Sequence, residues 1–378
     1  DSKSLSLGST PSALANIEEI KWKEKNILQT KNYQDIDWIL DRKLNFEAGI
    51  GCRLRCGGCM MRFHMKPGST RYKSYAWDRR YNIRFDKFKV VLDTFQSVQF
   101  CGNLSDPIYH PDFLKSLKHM KGKNIRVDFN TNGSGKTEKW WREVFELCKG
   151  EDWYWIFGLD GLPEESHLYR ENQKGGQVWD MMRLGRDLGA NISWQWIVFK
   201  YNQDHIEEGK LLAASEGISF LEMHSSRWVD DRWQGAKDMR VYKPNEEHRT
   251  SRRNEHIQIP KTDTPQDTAN PFEIDPDCLN NVTRKPMMFN SMGFFIPCCE
   301  KDQYVDALEV RGFYQDKFHI DNLHTVDDVK KVFLSDTWQN FYKGLYDDPM
   351  NASPGCQEFC GKSEFHKNGF GADPKGFV

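Results

Sequence analysis

Residues 124–161, NIRVDFNTNGSGKTEKWWREVFELCKGEDWYWIFGLDG, place a helix-like run between two strand-like runs. Ile125, Val127 and Phe129 alternate with polar neighbours, the period of a strand with one buried face. Trp141, Val144, Phe145 and Cys148 then recur at helical spacing, and the aromatic run WYWIFG opens a second strand. The same rhythm extends outward in both directions. Upstream lie the strand-like KLNFEAGIG (43–51), the helical DKFKVVLDTF (86–95), the strand-like VQFCGN (98–103) and the helical HPDFLKSLKHMKG (110–122). Downstream lie VWDMMRLGRDLGA (178–190), ISWQWIVFKYN (192–202), DHIEEGKLLAASEG (204–217) and ISFLEMHSS (218–226). The count is six strands and five intervening helices.

Strands separated by single helices run parallel, because each crossover returns the chain to the same end of the sheet. The result is an open doubly wound sheet or a barrel, and periodicity alone does not choose. In both, ligands collect at the carboxyl ends of the strands. Those ends hold a cysteine loop, CGNLSDP, NTNG, GLDG, KYN and HSSRW, polar turns that outline one active-site mouth. From about Trp228 to Asp275 the chain turns irregular and rich in Pro, Asp, Thr and Arg, as a connection between modules does. Beyond it, PMMFNSMGFFIPCC (286–299) reads as a hairpin and 325–346 as helical.

The bulk properties exclude several function classes. Among 378 residues, 53 basic side chains balance 55 acidic ones, so charge suggests neither a nucleic acid nor a membrane surface as partner. No apolar run approaches the roughly 20 residues that cross a bilayer. The first residues lack the basic and apolar regions of an export signal, and the reading is a cytoplasmic protein. Its 13 tryptophans fall mostly on strand and helix faces and are expected in the core.

The 10 cysteines are too clustered, in too long a chain, for a secreted disulfide scaffold. Cys52, Cys56 and Cys59 share one loop, in the segment GCRLRCGGCM (51–60). A structural zinc needs a fourth ligand, for which His64 is the nearest candidate. An iron-sulfur cubane held by three thiolates instead keeps one iron open, which separates a chemical site from a structural one.

The Cys-x3-Cys-x2-Cys loop after the first strand resembles the signature of the radical S-adenosylmethionine (SAM) superfamily. CGNLSDP is similar to that family's Gly-Gly-Glu-Pro element, and TNG and GLDG resemble its third and fourth strand ends. The resemblance covers roughly residues 45–228. It implies an α/β fold: a partial (β/α)6 TIM-like barrel followed by a small C-terminal auxiliary-cluster domain of the twitch or SPASM type. The boundaries are an extension at 1–45, the core at 46–228, a connection at 229–275 and the auxiliary domain at 276–378. It also implies that Cys52, Cys56 and Cys59 bind a [4Fe-4S] cluster whose open iron chelates SAM. Gly102, Asn103, Asp106, Asn132, Asp160 and Gln195 are the expected cofactor contacts. Reductive cleavage of SAM would then yield a 5'-deoxyadenosyl radical that takes a hydrogen atom from substrate, with flavodoxin or ferredoxin as electron donor.

Four positions depart from the family pattern. Asn103 and Asp106 change the wording of the Gly-Gly-Glu-Pro element, while Gly102 and Pro107 keep it. Gly58 stands where an aromatic residue usually packs on adenine, and Gly158 where a serine often meets ribose. Arg170 reads as half of a surface salt bridge, with the SAM carboxylate as the alternative. Cys278, fourteen residues, Gly293, four residues and Cys298 fit the opening of a twitch domain, and Cys356 and Cys360 complete four thiolates for an auxiliary [4Fe-4S] cluster. Zinc is the plainer occupant of that set. Cys299 is an alternative ligand to Cys298, a thiol that donates a hydrogen atom, or a packed residue. Cys101, beside the SAM loop, is a second catalytic candidate with packing as its plainer role, and Cys148 belongs to the core. The resemblance points to a peptide or protein side chain as substrate, undergoing oxidation, cross-linking or epimerisation. The alternatives are a dehydrogenase or epimerase acting on a sugar or aminoglycoside-like molecule, and a non-catalytic iron-sulfur or zinc protein.

Overall fold

Six short strands run parallel in chain order: β1 (Leu44–Phe46), β2 (Ser97–Phe100), β3 (Arg126–Thr131), β4 (Trp153–Gly158), β5 (Asn191–Ile197) and β6 (Ser219–Met223). The computed structural model describes residues 33–59, 82–102, 104–224, 239–248, 278, 286–298, 312–349, 352–353, 356 and 360. A short helix α1 (Ile36–Leu40) precedes β1. The crossovers carry α2 (Phe85–Thr94), α3 (Phe113–Met120), α4 (Glu138–Cys148), α5 (Gly175–Asp187) and α6 (Ile206–Ser215). Strand β1 is shorter than its nine-residue pattern: past Phe46 the Glu47 amide still donates to Phe289 O, and the chain then runs to an isolated bridge between Gly51 and Ser105.

The C-terminal hairpin joins this sheet. Strand β7 (Met287–Phe289) pairs in parallel with β1, and β8 (Phe295–Ile296) pairs antiparallel with β7. The order is therefore β6-β5-β4-β3-β2-β1-β7-β8, a partial barrel in which β6 and β8 are the two ends. Helices α7 (Val326–Phe333) and α8 (Asp336–Asp347) follow. Phe333 of α7 meets Phe95 at the end of α2 and Phe295 of β8, which seats the C-terminal helices on the same core.

One register row shows how the layers hold. Phe295, Phe289, Phe46, Phe100, Phe129 and Trp155 are successive cross-strand partners, with ring centroids 4.4–5.4 Å apart. Their outer edges meet Phe88 of α2, Phe113 of α3 and Trp141 and Phe145 of α4. Each ring pair adds about 0.5–1.5 kcal/mol beyond area burial. Trp141, Trp153, Trp155, Trp194, Trp196 and Trp338 are fully buried, as the apolar periodicity predicts. Cys148 is likewise core, its thiol donating to the Val144 carbonyl inside α4.

The opposite face of the strands differs. Gln99, Asn130, Tyr154, Ser193 and Gln195 line it and stay half-buried, whereas a closed barrel packs its interior with bulky aliphatic side chains. The concave side therefore carries half-buried polar side chains around Ile156.

Candidate functional site

The cysteine loop is fastened to the loop after β2 by backbone. Gly51 N donates to Leu104 O (3.3 Å) and Asp106 N donates to Gly51 O (2.8 Å). Glu47, buried just past β1, accepts from Leu104 N (2.7 Å) and Ser105 Oγ (2.8 Å) through one carboxylate oxygen. Gly102 has no room for a side chain: a Cβ there would lie 2.2 Å from Ser105 Oγ and 2.3 Å from Glu47 Oε1.

Asp106 ties this loop to the end of β3. Its carboxylate accepts from Thr131 Oγ1 (2.9 Å), Asn132 N (2.6 Å), Asn132 Nδ2 (2.5 Å) and Ile108 N (3.3 Å). Burial raises its carboxyl from 3.8 to about 6, against the pull of those donors. Asn132 Nδ2 also lies 3.3 Å from Cys52 Sγ, and Leu54 N approaches the same sulfur at 3.5 Å.

The end of β4 is held by a buried ion pair. Asp160, fully buried, meets Arg170 Nε at 2.7 Å and accepts from Ile197 N at 2.9 Å. Arg170 is half-buried against a fully buried partner, a correction to its reading as half of a surface salt bridge. The cause is local: a Cβ on Gly158 would stand 2.5 Å from the guanidinium, so glycine leaves the space Arg170 fills. Burial alone would lower the Arg170 pKa, but Asp160 and the nearby Cys56 more than offset it and hold the pKa raised. Gln173 Nε2 donates to Asn132 O (2.8 Å) and Gly158 O (3.0 Å), stitching the β3 and β4 ends together.

The three thiols stand at the centre of these ties. All are half-buried, none forms a disulfide, and each of Cys52 and Cys56 senses the charge of its loop partners. Burial pushes both thiols up to about 12; Arg170 pulls Cys56 down, and the Leu54 amide pulls Cys52 down. Cys56 also packs against the buried pair Tyr169 and Phe199. Among the described residues, no three His, Cys, Asp or Glu side chains converge on one point as a single metal ion would require. The loop does meet the demands of a cluster: three thiols outside any disulfide, two N–H groups beside Cys52 Sγ, and a half-buried cation near Cys56.

Of the other expected contacts, Gly102, Asp106, Asn132 and Asp160 are all at strand ends around this loop, with both carboxylates already engaged by protein donors. Gln195 lies on β5 opposite Gly158. Cys101 is half-buried at the end of β2; burial pushes its thiol up to about 12, with Glu47 and Asp106 adding to the shift. Cys278 is buried, and Cys298, Cys356 and Cys360 are half-buried; none of the four is in a disulfide. Asn103, Cys299 and His64 lie outside the described residues.

No family model matches the chain. The chain shares the fold of Streptococcus suis SuiB. The SuiB structure with precursor peptide SuiA matches 93% of this chain and 74% of that chain, with a TM-score of 0.51 at 13% identity. SuiB bound to S-adenosylmethionine matches 90% of this chain and 74% of that chain, with a TM-score of 0.52 at 15% identity. Among curated proteins, the tungsten-containing aldehyde ferredoxin oxidoreductase cofactor-modifying protein of Pyrococcus furiosus is 25% identical over 130 residues. That match spans 33% of this chain and about a third, 32%, of the relative.

Glu47 and Gln173 are the residues sequence reasoning missed. An acid within the apolar run LNFEAGIG was a usable signal for Glu47, since buried carboxylates demand donors. Nothing in the local sequence marks Gln173.

Proposed function

We propose that this chain is a radical SAM enzyme in which Cys52, Cys56 and Cys59 hold a [4Fe-4S] cluster with one iron left for SAM. The observation that carries this reading is the three-thiol loop at the C-terminal mouth of a partial barrel, with two N–H groups beside Cys52 Sγ. A cubane gives each thiolate its own iron and needs no convergence on one point, whereas zinc would. With a cluster and SAM held there, the site would have the chemistry for reductive cleavage of SAM to a 5'-deoxyadenosyl radical able to take a substrate hydrogen atom. The chain's residues do the rest: Glu47 and Asp106 hold the loops, Arg170 places positive charge near Cys56, and the strand ends screen the mouth from water. Gly102, Asn132 and Gln195 are the groups assigned to SAM.

The substrate in this reading is a peptide or protein side chain. Its support is the likeness to SuiB, whose structure holds its precursor peptide. Cys278, Cys298, Cys356 and Cys360 are assigned to an auxiliary cluster of the twitch type, and flavodoxin or ferredoxin to electron delivery. Anaerobic reconstitution tests the whole reading. About eight irons per chain are expected if both cubanes form, with reductive release of 5'-deoxyadenosine. Replacing Cys52, Cys56 and Cys59 by alanine together should leave about four irons and abolish SAM cleavage. A colourless protein carrying zinc would refute it.

A further inference from the structure

The turn between β3 and α4 gathers positive charge that no acid answers. Lys136 is half-buried, with its ammonium 4.7 Å from the centre of the Trp140 ring and 5.7 Å from that of Tyr109. The Arg53 guanidinium, next in the chain to Cys52, lies 5.8 Å from the same Tyr109 ring. Tyr109 is itself pinned, because its hydroxyl donates to Ser134 O at 2.7 Å. Gly135, at φ +74°, lets the two segments meet: a Cβ there would stand 3.1 Å from Arg53 Cδ and 3.3 Å from its Nη1. Trp140 stacks on Phe113 at 6.0 Å, and Phe113 packs on Phe129, so this cluster sits on the helix-covered side of β3 and not on its concave face.

Packing thus holds two like charges together against their repulsion. Burial lowers the Lys136 pKa, and the charge of Arg53 lowers it further. Among the described residues neither cation forms an ion pair, whereas Lys118, Lys123 and Lys210 each do. The acid that Lys136 does feel, Asp106, is buried and already accepts from Thr131, Asn132 and Ile108. Glu138, in the first turn of α4, is taken by Arg142 at 2.6 Å. An anion from outside the chain would relieve the repulsion, and the N-terminal end of α4 adds to the same positive field.

Two features favour phosphate over a carboxylate. Two full cations and a helix end match a dianion better than a single charge. The order strand, Gly135-Lys136-Thr137, helix is also the one in which P-loops carry their phosphate-binding lysine, although Asn130 holds the place of their first glycine. Thr137 Oγ1 accepts from Trp140 N, which leaves its own proton to donate. We infer that Arg53, Lys136 and the N-terminal end of α4 form a binding site for a phosphate group, free or esterified. The inference goes beyond the preceding proposal and stands apart from it, since neither iron nor SAM takes part.

Phosphorus-31 NMR on the full chain, without added iron and at constant ionic strength, tests the site with inorganic phosphate and glycerol 3-phosphate. At least one should show saturable line broadening, and the tighter of the two separates a free from an esterified ligand. Arg53→Gln and Lys136→Gln should each weaken binding about tenfold, the loss of one charge-assisted hydrogen bond. Lys118→Gln, which removes an equal charge from α3, should leave binding unchanged. Acetate should displace the phosphate probe at least tenfold less effectively than unlabelled sulfate, a dianion of the same shape. Lys136→Gln should keep or raise the melting temperature measured without ligand, because it removes the repulsion from Arg53. Absence of binding by both probes, indifference to both substitutions, an equal loss in Lys118→Gln, acetate as effective as sulfate, or a lowered melting temperature in Lys136→Gln would each overturn the assignment.

Discussion

Gly158 and Arg170 illustrate how much can rest on one missing methyl group. Because the guanidinium fills the space beside Gly158, Gly158→Ala should push Arg170 off Asp160 and strand a buried carboxylate. Separating such a pair costs about 3–5 kcal/mol, so urea unfolding should show a loss of that size, and Arg170→Ala should match it. Asp106 adds a pH dependence. Its folded carboxyl titrates near 6 against 3.8 when unfolded, so the native state holds its proton more tightly. The stability this group contributes is present in full below about pH 3.8 and is lost as pH rises through about 6. The shift corresponds to about 3 kcal/mol. Unfolding free energies between pH 4 and 7 should therefore fall more steeply in the parent than in Asp106→Asn; parallel profiles would refute the assignment. The cysteine loop is legible from residue identity alone, because three thiols at that spacing are rare. The burial of Arg170 is not, since whether a charge is buried depends on what surrounds it in space.

At the scale of elements, the site is built from strand ends that hold one another. Glu47 leaves β1 and fixes the loop after β2, Asp106 leaves that loop and fixes the turn after β3, and Gln173 joins β3 to β4. Glu47→Ala should free Leu104 N and Ser105 Oγ and cost about 1.5–3 kcal/mol in denaturant unfolding, as charged hydrogen bonds do. Gly102→Ala crowds the same loop, with its new methyl 2.7 Å from the Ser105 carbonyl oxygen. Overpacking of this kind costs about 1–3 kcal/mol, and calorimetry should show weaker SAM binding as the loop shifts. Helix and strand types were readable from period alone. Their ends were less so: β1 stops at Phe46, short of its nine-residue pattern, and α5 begins at Gly175, before its apolar pattern starts. A glycine is needed there because a Cβ would fall 1.9 Å from Pro163 O.

For the molecule as a whole, the hairpin β7-β8 lies at the edge of the barrel sheet, beside β1. Phe289, fully buried, stacks on Phe46 at 5.4 Å and meets Phe295 at 5.1 Å. Phe289→Ala should cost about 3–5 kcal/mol. A chain ending before residue 286 should bare the edge of β1 and its aromatic row, and lose cooperative unfolding by circular dichroism. A cooperative transition equal to that of the full chain would show that the hairpin is dispensable to the barrel.

The sequence by itself determined the βα alternation, the parallel direction of the strands, the apolar faces and the cysteine spacing, because each follows from local period and covalent order. Tertiary structure alone decided that β1 lies between β2 and β7 in one sheet, that Arg170 meets a fully buried carboxylate, and that Asn45 is left with an unanswered oxygen. Those outcomes depend on which distant side chains arrive at the same place, and contacts of that kind carry no local period for a sequence to display.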